Sequence, residues 1–121
     1  MKLLTSKFQA LSRFCRFRIM HLLLKTPYPL CICELMDIMN KPQYKISRCL
    51  GALKNAGLII EKREGRLLLH SPHTQNILNI PIFQYIKKSA SLSPELAQDL
   101  VNLKKRLALR KKGKITVTYR K

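Results

Sequence analysis

Four short helical patterns come first, then two aliphatic runs around a glycine turn, then one long helical stripe. That order predicts a mainly α fold with a small β-hairpin, α-α-α-α-β-β-α. The third and fourth helices are joined by only "NKP", and the hairpin follows the fourth directly. Two short helices with a tight turn, followed by a hairpin, describe a winged helix-turn-helix. One domain is expected over residues 1–112, with a basic tail at 113–121.

Each element has a local reason. Leu4, Phe8 and Leu11 stand at helical spacing in a first helix over 3–11. Ser12 is a candidate cap for a second helix over 13–25, with Phe14, Phe17, Met20, Leu22 and Leu24 as its apolar surface. "TPYP" at 26–29 breaks the pattern, because each proline removes a backbone donor and fixes φ. The third helix, 30–39, is expected to bury Leu30, Leu35 and Ile38. Pro42 suits the first turn of the fourth helix, which shows Ile46, Leu50 and Leu53 at i, i+4 and i+7 and stops at Gly57.

"LIIEKREGRLLLH" then reads as two strands around Glu64-Gly65, where glycine supplies the positive φ of a tight hairpin. A loop rich in proline and serine is expected next. Ser93 and Pro94 open the last helix, which carries Leu96, Leu100, Leu103 and Leu107 and ends near Gly113. The first and last helices hold more apolar surface than a core of this size covers. Leu4, Phe8, Leu96, Leu100, Leu103 and Leu107 are therefore expected to form a dimer interface.

The chain has 121 residues, 46% of them hydrophobic, which fits one folded domain. Against 24 Lys and Arg stand 6 Asp and Glu, a formal charge of +18 that implies a polyanionic partner, nucleic acid above all. No apolar run approaches the length of a membrane helix, and the N-terminus lacks a signal-peptide pattern. A cytoplasmic protein with no membrane partner is expected, and there the four cysteines are core fillers, metal ligands or redox groups rather than a disulfide framework.

Helix-turn-helix proteins lay their second helix in the major groove and read base edges with its N-terminal residues. In "QYKISRCLGALKNAGL" the inward positions leave Gln43, Tyr44, Lys45, Ser47 and Arg48 outward. Gln43 suits adenine, Arg48 guanine or phosphate, and Ser47 either kind of acceptor, while Lys45 and Lys54 suit phosphates. Lys62, Arg63 and Arg66 at the hairpin tip suit the backbone or a narrow minor groove. Double-stranded DNA is the expected partner.

These same residues resemble the arsenic-repressor (ArsR/SmtB) family. "LSRFCRFRIMHLL" is similar to that family's "LSDPTRLRIL", keeping Leu11, Ser12, Arg16 and Ile19. "LCICELM" resembles its "ELCVCDLC" metal motif, "KISRCLGALKNAGLI" its "KISRHLALLRESGLL", and "KREGRLLLHSP" its wing. The likeness runs from about Leu11 to Pro72, and the helix from Ser93 matches the family's dimer helix. It implies a homodimeric repressor on operator DNA with imperfect inverted repeats, released when a metal ion binds.

The resemblance puts the ion at Cys31 and Cys33. On a regular helix, residues two apart point about 200° from each other. The pair can share one ion only where the first turn after Pro29 loosens. A helix N-terminus favours the thiolate, and soft thiolates select As(III), Sb(III), Cd(II), Pb(II) or Cu(I). The family's arsenite site uses cysteines at i, i+2 and i+5, whereas i+5 from Cys31 is Met36. A neutral thioether does not replace a thiolate towards As(III). Cys15, Cys49, the other protomer or an external thiol then remains as third ligand. Redox sensing and plain structural thiols stand beside metal sensing. Some members bind zinc between their last helices. Here Glu95 and Asp99 lack a histidine, so that site is expected to be absent, and His21, His70 and His73 are read as packing or loop residues.

No nucleophile-base-acid set or phosphate-cradling loop supports an enzyme, and no organic cofactor is expected. The competing reading is a basic protein that coats nucleic acid. Nine Lys and Arg between Lys104 and Lys121, with no acid among them, favour it.

Overall fold

Ile19, Met20, Leu22 and Leu23 are essentially inaccessible and form one wall of the core. They belong to α2 (Phe14–Lys25), which packs against α4 (Gln43–Asn55). From the facing helices, α3 (Ile32–Met39) contributes Leu35 and Ile38, and α4 contributes Ile46, Leu50 and Leu53 to the same buried cluster. The computed structural model describes residues 2–89, 92–111 and 113–118. Residues 119–121, the end of the expected basic tail, lie outside the described residues.

The turn between α3 and α4 rests on two residue types. Asn40 is left-handed (φ 52°, ψ 51°), a conformation asparagine tolerates better than most, and its N–H donates to Met36 O. Pro42 is the extended residue just before α4 rather than a member of its first turn. A helix entered this way leaves the proline's missing donor without consequence.

The far end of α4 closes with paired reverse bonds: Leu58 N–H to Leu53 O at 3.0 Å, and Gly57 N–H to Lys54 O at 2.9 Å. That is a Schellman stop, with Gly57 at φ 73°. The buried Lys7 of α1 (Lys2–Leu11) donates to Ala56 O at 2.9 Å, placing a cation on the negative end of α4. Burial lowers the Lys7 pKa.

Strand β2 (Ile59–Glu64) pairs antiparallel with β3 (Leu67–Pro72), from Glu64 opposite Leu67 to Ile59 opposite Pro72. Gly65 alone of the two loop residues has positive φ, 64°, the pattern of a type II′ hairpin turn. A further strand, β1 (Leu30–Cys31), pairs with the other edge of β3, giving the order β1-β3-β2. The expected third helix thus begins two residues late, because Leu30 and Cys31 are drawn into the sheet.

Three other expectations are corrected. Ser12 donates its hydroxyl to Gln9 O at the end of α1, while Arg13 occupies the entry to α2. The segment read as a loop after the hairpin contains α5 (Asn79–Lys87). Pro81 sits in its first turn, where backbone donors have no intrahelical partner, so proline does not break it. Ile82, Phe83 and Ile86 of α5 are buried, and Asn79 ties its start to Gly57 O and His73 O at 2.9 Å each. The last helix, α6 (Pro94–Leu107), starts at Ser93 and Pro94 as expected but ends six residues before Gly113.

Three arginine–carboxylate pairs fasten the helices. Arg18 of α2 holds Asp99 of α6 through two bonds of 2.8 and 2.9 Å. Arg106 meets Asp37 at 2.7 Å, and Arg110, just beyond α6, grips Glu34 of α3 at 2.7 and 2.9 Å. Arg110 also donates to Pro29 O at 2.7 Å and stacks over the Tyr28 ring. Among the described residues, no helix is long and apolar enough to cross a membrane.

Glu34 has no exposed surface and is paired with Arg110, so removing the arginine leaves a buried carboxyl group without its partner. Arg110→Ala is expected to cost about 3–5 kcal/mol in urea unfolding at fixed protein concentration. The double replacement Glu34→Gln with Arg110→Met is expected to cost clearly less, since it leaves no unpaired buried charge.

Candidate nucleic-acid interface and thiol pair

Burial of Ile46, Leu50 and Leu53 fixes the rotation of α4. Gln43, Tyr44, Lys45, Ser47 and Arg48 accordingly all lie exposed on its other side, Tyr44 by 61%. Lys54 is also exposed, but it pairs with Glu61 of β2 at 2.6 Å, linking α4 to the hairpin. Lys62, Arg63 and Arg66 stand exposed around the hairpin tip. A cleft of about 530 Å³ separates α4 from the hairpin. Ser47, Gly51 and Lys54 line one side, Arg63 and Arg66 the other. Arg13 and Arg16 extend the basic surface: they share a second, smaller cleft with Lys45 and Arg48. Their place beside α4 depends on how α2 packs, which no local sequence pattern reports.

The floor of the larger cleft is the thiol pair. Cys31 and Cys33 are 1% and 2% exposed, and their Sγ atoms are 2.6 Å apart. Their convergence has a backbone cause. Cys31 is the extended residue capping α3 (φ −93°, ψ 166°), so the angular objection for two residues within one helix does not apply. Its N–H donates to Glu34 Oε1 at 3.2 Å, half of a capping box. Leu69 and Ile115 pack over the sulfurs.

The two thiols differ in electrostatics. A hydrogen bond from Cys31 lowers the Cys33 pKa to about 7 against the opposing effect of burial, and the Arg106 charge adds to the lowering. Cys31 is pushed up, first as the donor to Cys33 and then by burial. One thiolate stabilised by one thiol is the expected form near neutrality.

The expected third-ligand candidates fall elsewhere. Met36 packs against the helical core, not against the thiols. Cys15 and Cys49 face each other across α2 and α4, with sulfurs 3.2 Å apart. Among the described residues, no three His, Cys, Asp or Glu side chains gather in a way that holds a metal ion. His70 is buried on β3 with Nδ1 3.6 Å from Glu61, and His73 faces Gly57 O, so the two do not form a ligand pair. The two sulfurs therefore fit a thiophilic ion as a dithiolate, with any further position supplied from outside this chain.

Of the residues expected at a dimer interface, some are buried within the chain and others remain open. Leu96 and Leu103 are buried inside the chain, and Leu100 and Leu107 lie half-buried against the same core. These four serve this chain's own interior because α6 packs across α2 and α3. Leu4 is half-buried and Phe8 remains 55% exposed. The open apolar surface lies instead between α1 and α5, in a groove of about 530 Å³ lined by Leu4, Phe8, Leu11, Phe17, Ile82 and Tyr85.

A helix-turn-helix whose second helix is followed by a β-hairpin, with cations along both, defines a winged helix-turn-helix protein. Residues 15–61 match the family described as bacterial regulatory protein, arsR family. It is 46% identical over 37 residues to the arsenic resistance transcriptional regulator ArsR2 of Pseudomonas putida, covering 31% of this chain and 32% of the relative. ArsR1 of the same organism is 36% identical over 56 residues, 46% of this chain and 44% of the relative. The arsenical resistance operon repressor of Escherichia coli is 37% identical over 54 residues, 43% and 46%. The chain thus spans less than half the length of each of these relatives.

The asymmetry of the pair has a direct readout. With Cys15→Ser and Cys49→Ser in place, thiolate ultraviolet absorbance is expected to rise by one group around pH 7 and to gain the second only at strongly alkaline pH. Two groups rising together near the ordinary thiol value contradict it.

Proposed function

We propose that this protein is a homodimeric transcriptional repressor that binds operator DNA and is released by a thiophilic metalloid, As(III) or Sb(III), held by Cys31 and Cys33. One observation carries the reading: the basic faces of α4 and the hairpin and the thiol pair line the same cleft. The match of residues 15–61 to the arsR family and the likeness of this chain to resistance regulators support the same reading.

α4 enters the major groove with Gln43, Ser47 and Arg48 towards base edges, while Tyr44 and Lys45 border the backbone. Lys62, Arg63 and Arg66 hold the flanking phosphates. Lys54 positions the hairpin through Glu61 as much as it serves the DNA. Two copies join through the apolar faces of α1 and α5, which leaves both α4 helices free for two half-sites. The dimer works in the reducing cytoplasm, where the thiols stay available.

Release follows from linkage. An ion that prefers the dimer's DNA-incompetent form lowers operator affinity by the same factor by which DNA lowers ion affinity. Cys33 and Cys31 would hold the ion as two thiolates, each As–S bond replacing an As–O bond whose oxygen leaves as water with the thiol's proton. The third position of As(III) falls to an external thiol. The element that moves is the start of α3, held between β1, Glu34 and Arg110, on the floor of the cleft that α4 and the hairpin share.

The test is a footprint with arsenite titration. The protein is expected to protect one short inverted repeat upstream of its own gene, and arsenite is expected to abolish protection. Cys31→Ser with Cys33→Ser is expected to keep the footprint and lose the response. Uniform protection without a preferred site sinks the repressor reading. Full arsenite response in the double variant sinks the ligand assignment.

A further inference from the structure

Cys15 and Cys49 form a second thiol pair, apart from the one at the head of α3. They lie 34 residues apart in sequence, yet their sulfurs meet at 3.2 Å between the first turn of α2 and the middle of α4. Both are half-buried, and they line an open cleft of about 270 Å³ whose other walls are Arg13, Arg16, Lys45 and Arg48. Among the described residues, no carboxylate lines it.

We propose that Cys15 and Cys49 form a second, redox-active thiol site, which exchanges with small carboxylate-bearing disulfides of the glutathione type and closes a bond between α2 and α4. Two features select that chemistry. Four cations around the sulfurs disfavour a free metal cation and attract an anionic reagent. Access differs as well: Cys31 and Cys33 are 1% and 2% exposed on the floor of their cleft, whereas Cys15 and Cys49 are each half-buried at theirs.

The steps balance. Cys49 donates its S–H towards Cys15, and burial pushes the Cys49 thiol up to about 11, so Cys15 is the attacking sulfur. The Cys15 thiolate attacks one sulfur of the small disulfide, that S–S bond breaks, and one small thiolate leaves and takes a proton. Cys49 then loses its proton to solvent and attacks Cys15, displacing the second small thiolate. The protein dithiol is oxidised by two electrons, and one disulfide becomes two thiols. Bond formation needs the sulfurs to approach by about 1 Å, to a bond of about 2.05 Å. That movement draws the turn of α4 bearing Lys45 and Arg48 towards α2, so oxidation is expected to weaken DNA binding. This consequence rests on the DNA reading above; the bond itself does not.

The experiment treats the full chain with glutathione disulfide and maps peptides by mass spectrometry without reduction. A Cys15–Cys49 linkage is expected, reversed by dithiothreitol and absent from Cys49→Ser, which should instead hold a glutathione adduct on Cys15. No linkage, or a linkage confined to Cys31 and Cys33, overturns the proposal. Oxidised wild-type protein is expected to bind its operator about tenfold more weakly, the worth of one good base-edge contact, with Cys49→Ser unaffected by closure. A linked protein of undiminished affinity overturns the coupling to DNA. Reduced protein that binds no duplex at all refutes the repressor reading, and the peptide map then decides the thiol site alone.

Discussion

Which way α4 faces decides everything that this protein can touch. Ile46, Leu50 and Leu53 lock into the cluster formed by α2 and α3, and each is at most 4% exposed. Turning the helix by one residue's angle would bury polar atoms without partners and expose aliphatic surface, each costly. The opposite face, from Gln43 to Arg48, is thereby held outward on a rigid rod. Both ends of the rod are secured, at Asn40-Pro42 by the turn and at Ala56-Gly57 by the Schellman stop and the buried Lys7 ammonium.

Charge is partitioned in the same spirit. Only six acids face 24 Lys and Arg. Asp99, Asp37, Glu34 and Glu61 are matched with Arg18, Arg106, Arg110 and Lys54, which join helix to helix or helix to hairpin. Those pairs consume few of the cations. Among the unpaired cations, Lys45, Arg48, Lys62, Arg63 and Arg66 stand exposed on α4 and the hairpin. The excess that a polyanion would neutralise and the framework that presents it are thus built from the same small set of acids.

Much of this was legible in the sequence, and where it failed the reasons are physical. The buried stripe of α4, the stops at Gly57 and Gly65, and the Ser93-Pro94 opening depend on neighbours within four residues, so pattern reading finds them. β1 has two residues and no periodicity to detect. α5 was hidden because Pro81 looks like a breaker unless the helix start is known. The four leucines of α6 show a stripe, but a stripe does not say whether its partner is this chain or a second one. The thiol geometry was least accessible: it depends on Cys31 being recruited to β3, and on Arg110 returning to Glu34 across 76 residues.

On the proposed function, the outward cations of α4 and the hairpin meet DNA phosphates. The most direct measurement is the salt dependence of duplex binding. Affinity is expected to fall linearly on logarithmic axes, with a slope of about −0.9 for each phosphate contacted. Arg63→Ala with Arg66→Ala should flatten that slope by roughly 2. A slope near zero, or one the double variant leaves unmoved, would contradict the account.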